Sequence, residues 1–192
     1  MNNKSQVFQY ELNLIGDSLI KEFAIAALNV LPDYFFKVPA SSTGKYHPTY
    51  ALGDGGLVRH TKAAVRIAHS MFGNTTITGK FTPEMKDMII AALLIHDGLK
   101  SGREKQEYTV HDHPIQLVQY IHEKMCVMFP AKFDDIMPRI LALIETHMGQ
   151  WNTGRKADDA VLKLPANGAQ AYVHMCDYLA SRKLIEINFD AI

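Results

Sequence analysis

From Met88 to Ile95 the chain reads MIIAALLI, eight successive apolar residues that run directly into His96 and Asp97. A segment apolar on every side finds no stable place on a surface, so it predicts a helix at the centre of a bundle. The run is far too short to span a bilayer. A central helix closing on a histidine and an aspartate then poses the question of what receives those polar groups.

Around this segment the periodicity is helical almost throughout. Helices are predicted over residues 11–30, 57–72, 83–96, 114–126, 136–147 and 167–183, which gives an all-α chain. LIEINF at 184–189 is the one candidate for a short C-terminal strand. With 192 residues, 47% of them hydrophobic, there is material for one sizeable core, and no linker-like stretch divides it. Residues 1–38 are read as an N-terminal helical segment packed on a domain spanning 39–192. Residues 74–81 are expected to be a linker. The KVPASSTGKYHPTYALGDGG stretch at 37–56 is a long Gly/Pro/Ser-rich loop, a length that points to function.

Twenty basic residues balance twenty acidic ones. That leaves no long-range field to clamp a duplex nucleic acid, and favours a small or single-stranded anion held locally. Cys126 and Cys176 form neither a CxxC pair nor a disulfide framework, which together with an N-terminus lacking a signal-peptide core predicts a cytoplasmic, reduced protein without a membrane partner.

On the helical wheel, His60 shares a face with Ala64, Ile67 and Met71, whereas His69 lies opposite. His147 falls about 20° from Ile140 and about 60° from Ile144, so it points inward. Asp177 lies about 40° from Val173 on the rim of an apolar stripe, where it could hold either a metal or a base such as Arg182. Asp97 at a helix C-terminus is disfavoured by the dipole and needs a positive charge nearby. His113 precedes Pro114 at a helix entrance, with His111 as a rival and Asp112 as a plain N-cap. His122 and His174 are expected at the surface, as are Arg103, Lys105 and Lys183.

Several strings together resemble the HD-domain metal-dependent phosphohydrolase superfamily: GGLVRHT at 55–61, ALLIHDGLK at 92–100, HP at 113–114, ETHMG at 145–149 and HMCDYLASR at 174–182. The likeness is greatest to the HD domain of bacterial 3′ to 5′ exoribonucleases, where a Pro-Ala segment and a histidine also precede the Gly-Gly-Leu entry. Two features depart from that pattern: the chain has no separate nucleic-acid-binding domain, and Gly98 and Leu99 stand in reverse order before Lys100.

The resemblance implies a first metal held by His60, His96, Asp97 and Asp177, with Asp97 bridging to a second held by His113 and His147. Imidazole and carboxylate donors without thiolate suit one or two ions of Mn, Fe, Co, Ni or Zn. It further implies in-line attack of a metal-activated hydroxide on phosphorus, with Asp97 and Lys100 as the catalytic residues. Lys45, Tyr46 and His47 are the candidate substrate-binding residues. The expected function is a metal-dependent phosphodiesterase of a nucleotide, cyclic nucleotide or short single-stranded oligonucleotide. The alternatives are a nucleotide phosphomonoesterase or triphosphohydrolase, and a non-catalytic nucleotide-binding module.

Overall fold

A computed structural model describes residues 3–41, 44–45 and 47–185. Among the described residues every regular element is helical, as expected of an all-α single domain. The expected helix over 11–30 is interrupted. A single turn at Gln9–Leu12 stops ahead of Gly16, and helix α1 occupies Ser18–Val30. The carboxylate of Asp17 caps α1 by accepting the amides of Leu19 and Ile20 at 2.8 and 2.9 Å, a contact worth about 1 kcal/mol. Asp87 fixes the break from outside by accepting the amides of Gly16 and Asp17. Both pieces bury their apolar side in one core, so hydrophobic periodicity runs unbroken across a real interruption.

Helices α2 (Gly56–Met71), α3 (Pro83–Ile95), α4 (His113–Met128), α5 (Met137–Ile144) and α6 (Gly168–Ala180) complete the bundle. The expected linker at 74–81 contains a helical turn, Thr75–Thr78, capped by the Asn74 side chain. Helix α6 ends at Ala180, three residues before the predicted boundary. Leu184 is in a turn, and most of the candidate strand, 186–189, lies outside the described residues.

Helix α3 is the axis of the molecule. It packs against α1, α2, α5 and α6, while α4 bridges α1 and α5. Every residue from Met88 to Leu99 is buried, and each large aliphatic side chain among them contributes about 1.5–3 kcal/mol over exposure. Phe8, Leu12 and Phe35 join the same core as α3, so the N-terminal segment is part of one packed unit. Two tyrosine hydroxyls tie the outer helices together, Tyr172 donating to the Ala68 carbonyl and Tyr120 to that of Val30. The effect of this packing is to aim the C-terminal end of α3 at the centre of the bundle.

Candidate metal centre

Two adjacent glycines deliver the first histidine. Gly55 sits at φ +69°, left-handed backbone that favours glycine. At Gly56 a Cβ would stand 2.2 Å from the Ala51 carbonyl oxygen and 3.0 Å from the Pro39 Cα. This close approach lets the amides of Gly55 and Leu57 donate to the carbonyls of Lys37 and Val38. The loop is thereby clamped onto the start of α2, and His60, one turn later, is buried facing α3 and α6.

Three other histidines share one local construction at helix ends. In His96, His113 and His147 the ring Nδ1 lies 2.7–2.8 Å from the backbone carbonyl three residues earlier, those of Leu93, Val110 and Ile144. A carbonyl can only accept, so each Nδ1 carries a proton, and in the neutral ring each Nε2 presents a lone pair. All three rings are buried and turn Nε2 to a common centre.

Asp97 divides that centre in two. Its Oδ2 lies 3.6 Å from His60 Nε2 and 3.5 Å from His96 Nε2, and those nitrogens lie 2.9 and 3.4 Å from Asp177 Oδ1. Its Oδ1 lies 3.2 Å from His113 Nε2 and 3.7 Å from His147 Nε2, with the two nitrogens 3.1 Å apart. Metal–ligand bonds of about 2.0–2.2 Å imply ligand separations of about 3.0 Å in an octahedron and about 3.4 Å in a tetrahedron. Both groups have the dimensions of a coordination shell.

Their chemistry fits as well. The lone pairs of His113 and His147 face each other across 3.1 Å, an arrangement that a cation or a shared proton must relieve. His96 Nε2 is buried with no hydrogen-bond partner, a costly state for a polar atom unless something else satisfies it. The six side chains could therefore bind a metal ion, in a set of four and a set of three that share Asp97.

Protonation preferences follow from the crowding of charge. Burial alone would raise the Asp97 carboxyl, but Lys100 and His96 overcome it and hold it well below the ordinary range. Asp177 is held low in the same way by His60 and His96 against burial. Burial depresses the His96 imidazole, yet Asp97 and Asp177 outweigh it and the net shift is upward. For His113 burial prevails over the pull of Asp97, and the net shift is downward.

The other sequence candidates separate clearly. His113, not His111, joins the cluster; His111 Nε2 instead faces the Ala160 carbonyl at 3.1 Å. Asp112 occupies the cap position of α4 without a capping hydrogen bond and accepts from the Gln116 amide. Asp177 pairs with His60, while Arg182 lies over the Tyr178 ring. Lys100 Nζ donates to Asp97 Oδ2 at 2.5 Å. Gly98 makes that turn possible despite the reversed order, because its bare Cα packs where a Cβ would meet Leu31 and Leu117, and Leu99 is buried behind it. His47 stands 5.5 Å, ring to ring, from His60. Lys45 is exposed, and Tyr46 lies outside the described residues. His69 and His122 are exposed as expected.

His174 is not the surface residue predicted. It is half-buried, and its Nδ1 donates to the backbone carbonyl of His147 at 2.7 Å. Gly149, at φ +53°, makes room for that ring, which a Cβ would meet at 2.4 Å. Sequence reasoning also passed over Trp151, whose ring stacks on Tyr178. The available signal was its position, four residues beyond His147.

No family model matches the chain, and neither does any curated protein or solved structure. Among the described residues no helix is long and apolar enough to cross a membrane.

Proposed function

We propose that the protein is a metal-dependent phosphohydrolase of the HD type, cleaving a phosphodiester in a nucleotide or short single-stranded oligonucleotide. The observation that carries this reading is the shared orientation of His96, His113 and His147, whose Nδ1 atoms are held by backbone carbonyls so that three Nε2 atoms are aimed at the two oxygens of one carboxylate. His60, His96, Asp97 and Asp177 would hold one divalent transition metal, and Asp97, His113 and His147 a second. Bound there, such ions supply a water-derived nucleophile at neutral pH and positive charge for the phosphoryl oxygens.

The protein's own residues would do the rest. Backbone carbonyls keep the imidazoles in the coordinating tautomer. Lys100 balances the Asp97 carboxylate and also lines a cavity of about 220 Å³ with Pro39, Ala40, Ser101 and Lys105. Lys100 thus lies between the Asp97 carboxylate and that cavity, whose wall also carries Glu107, and there it would meet a phosphoryl oxygen, the role the resemblance gives to it.

The test is elemental analysis of protein purified without chelators, followed by a screen of phosphodiesters and nucleotides with Mn²⁺, Fe²⁺, Co²⁺, Ni²⁺ and Zn²⁺. One or two ions per chain are expected, with a nucleoside monophosphate released from a diester and hydrolysis abolished in Asp97→Ala. Release of phosphate or triphosphate alone would assign a nucleotide phosphatase instead. Failure to bind any of these metals on reconstitution would defeat the reading.

A further inference from the structure

An aromatic shelf stands beside the candidate centre and takes no part in it. The Trp151 ring stacks on that of Tyr178, with centroids 5.5 Å apart and planes at 21°. The Arg182 guanidinium lies 4.3 Å from the Tyr178 centroid and 6.0 Å from that of Trp151. The His174 ring braces Trp151 edge-on at 5.8 Å.

Two features place this shelf with the site. Tyr178 directly follows Asp177, and Trp151 ends the short 3₁₀ turn Gly149–Trp151 that leaves His147. The two elements are locked together by the bond from His174 to the His147 carbonyl. The shelf is thus built on the same two chain segments that carry one ligand of each metal set.

Trp151 is nonetheless 41% exposed. Tyr178 stacks offset along one face of its ring, and with His174 and Arg182 beside it the ring is held in place while much of the residue stays open to solvent. A large rigid π-surface left open to water on the segments that carry His147 and Asp177 is suited to receive another flat ring.

We propose that Trp151, backed by Tyr178 and Arg182, is a stacking platform for the nucleobase next to the scissile phosphate. The charge on the shelf decides between flat or π-seeking ligands. Aromatic pairs also receive quaternary ammonium groups, but Arg182 repels a cation there and attracts a phosphorylated, electron-rich ligand. Stacking offers a π-face to every base, so the platform selects for a base being present more than for its identity. The position of the base relative to the phosphate rests on the phosphohydrolase reading; the stacking surface does not.

Trp151 is the sole tryptophan of the chain, so its fluorescence reports the platform directly. Full-length, metal-reconstituted protein is titrated with adenosine 5′-monophosphate and with ribose 5-phosphate, with emission and calorimetry recorded together. The expected result is quenching by the nucleotide and none by the sugar phosphate. By calorimetry, Trp151→Ala weakens adenosine 5′-monophosphate about 5- to 150-fold and leaves ribose 5-phosphate unchanged, while Trp151→Phe restores most of the affinity. No quenching at millimolar nucleotide overturns the proposal, as it would if the shelf served a protein partner. Equal weakening of both ligands in Trp151→Ala overturns it too, by assigning Trp151 a purely structural role. Should the metal-loaded protein hydrolyse no phosphoester, the phosphohydrolase reading falls while quenching still decides the platform.

Discussion

Replacing Gly56 with alanine probes the clamp that sets His60 in place. The new Cβ would lie 2.2 Å from the Ala51 carbonyl oxygen and 2.7 Å from its carbon. Ordinary C···O contacts begin near about 3.3 Å, so the overlap is about 1 Å. The opposing atoms are backbone, and no rotamer change relieves them. The loop before α2 must move instead, straining the bonds from Gly55 and Leu57 to the Lys37 and Val38 carbonyls. Overpacking of this kind costs about 3 kcal/mol, and at about 2–4 °C per kcal/mol for a domain of this size the melting temperature falls by about 6–12 °C. Gly55→Ala is the internal standard. It meets only the Arg59 side chain and a distant carbonyl, but takes a β-carbon into left-handed backbone at about 1–2 kcal/mol, for a smaller drop of about 2–8 °C. Differential scanning calorimetry on both variants, metal-loaded and metal-stripped, reads the order directly. A Gly56→Ala protein that melts within about 2 °C of wild type, or above Gly55→Ala, would refute the clamp.

Glu11 is fully buried and accepts from Arg66 Nε at 2.9 Å. Glu11→Ala removes the buried carboxylate of this pair and lowers the unfolding free energy by about 3 kcal/mol, read as a lower urea midpoint at unchanged slope; an unshifted midpoint would show the pair to be dispensable. Burial pushes the Cys176 thiol up to about 12, whereas Cys126 is exposed. A thiolate-selective reagent at pH 8 is thus expected to modify Cys126 alone until denaturant is added, and equal labelling of both in the native protein would contradict the packing around α6. For His47, burial, then Lys100 and His60, bring the imidazole down to about 3 from 6.5. The unfolded chain binds a proton there that the folded chain refuses, so this contribution to stability is complete above pH 6.5 and erodes as pH falls towards about 3. His47→Gln flattens the decline of melting temperature over that interval, and parallel profiles for the two proteins would show that His47 does not drive it.

What the sequence revealed and what it hid have physical causes. The unbroken apolar surface of α3 made its central place unambiguous, and the inward faces of His60 and His147 followed from helical spacing alone. Choosing His113 over His111 required knowing which ring reaches the bundle axis, a tertiary fact that two-residue spacing at a helix entrance leaves open. The interruption before α1 was hidden because apolar periodicity continued through it, although Asp17 already carried the capping signal. His174 was misplaced because its bond to the His147 carbonyl joins residues 27 apart, and wheel position on α6 is blind to that. Trp151 escaped notice for a similar reason: its partner Tyr178 comes from another element, and stacking leaves no periodic trace.

The division of the centre at Asp97 also orders events during synthesis. The set of Asp97, His113 and His147 is complete in the chain 30 residues before Asp177 closes the other set. At about 5–20 residues per second this interval lasts about 1.5 to 6 s. For those seconds every residue of the smaller set has been made, while α6, which carries Asp177, is still to come. The set of four therefore waits on the last helix of the bundle, whereas the set of three draws nothing from it.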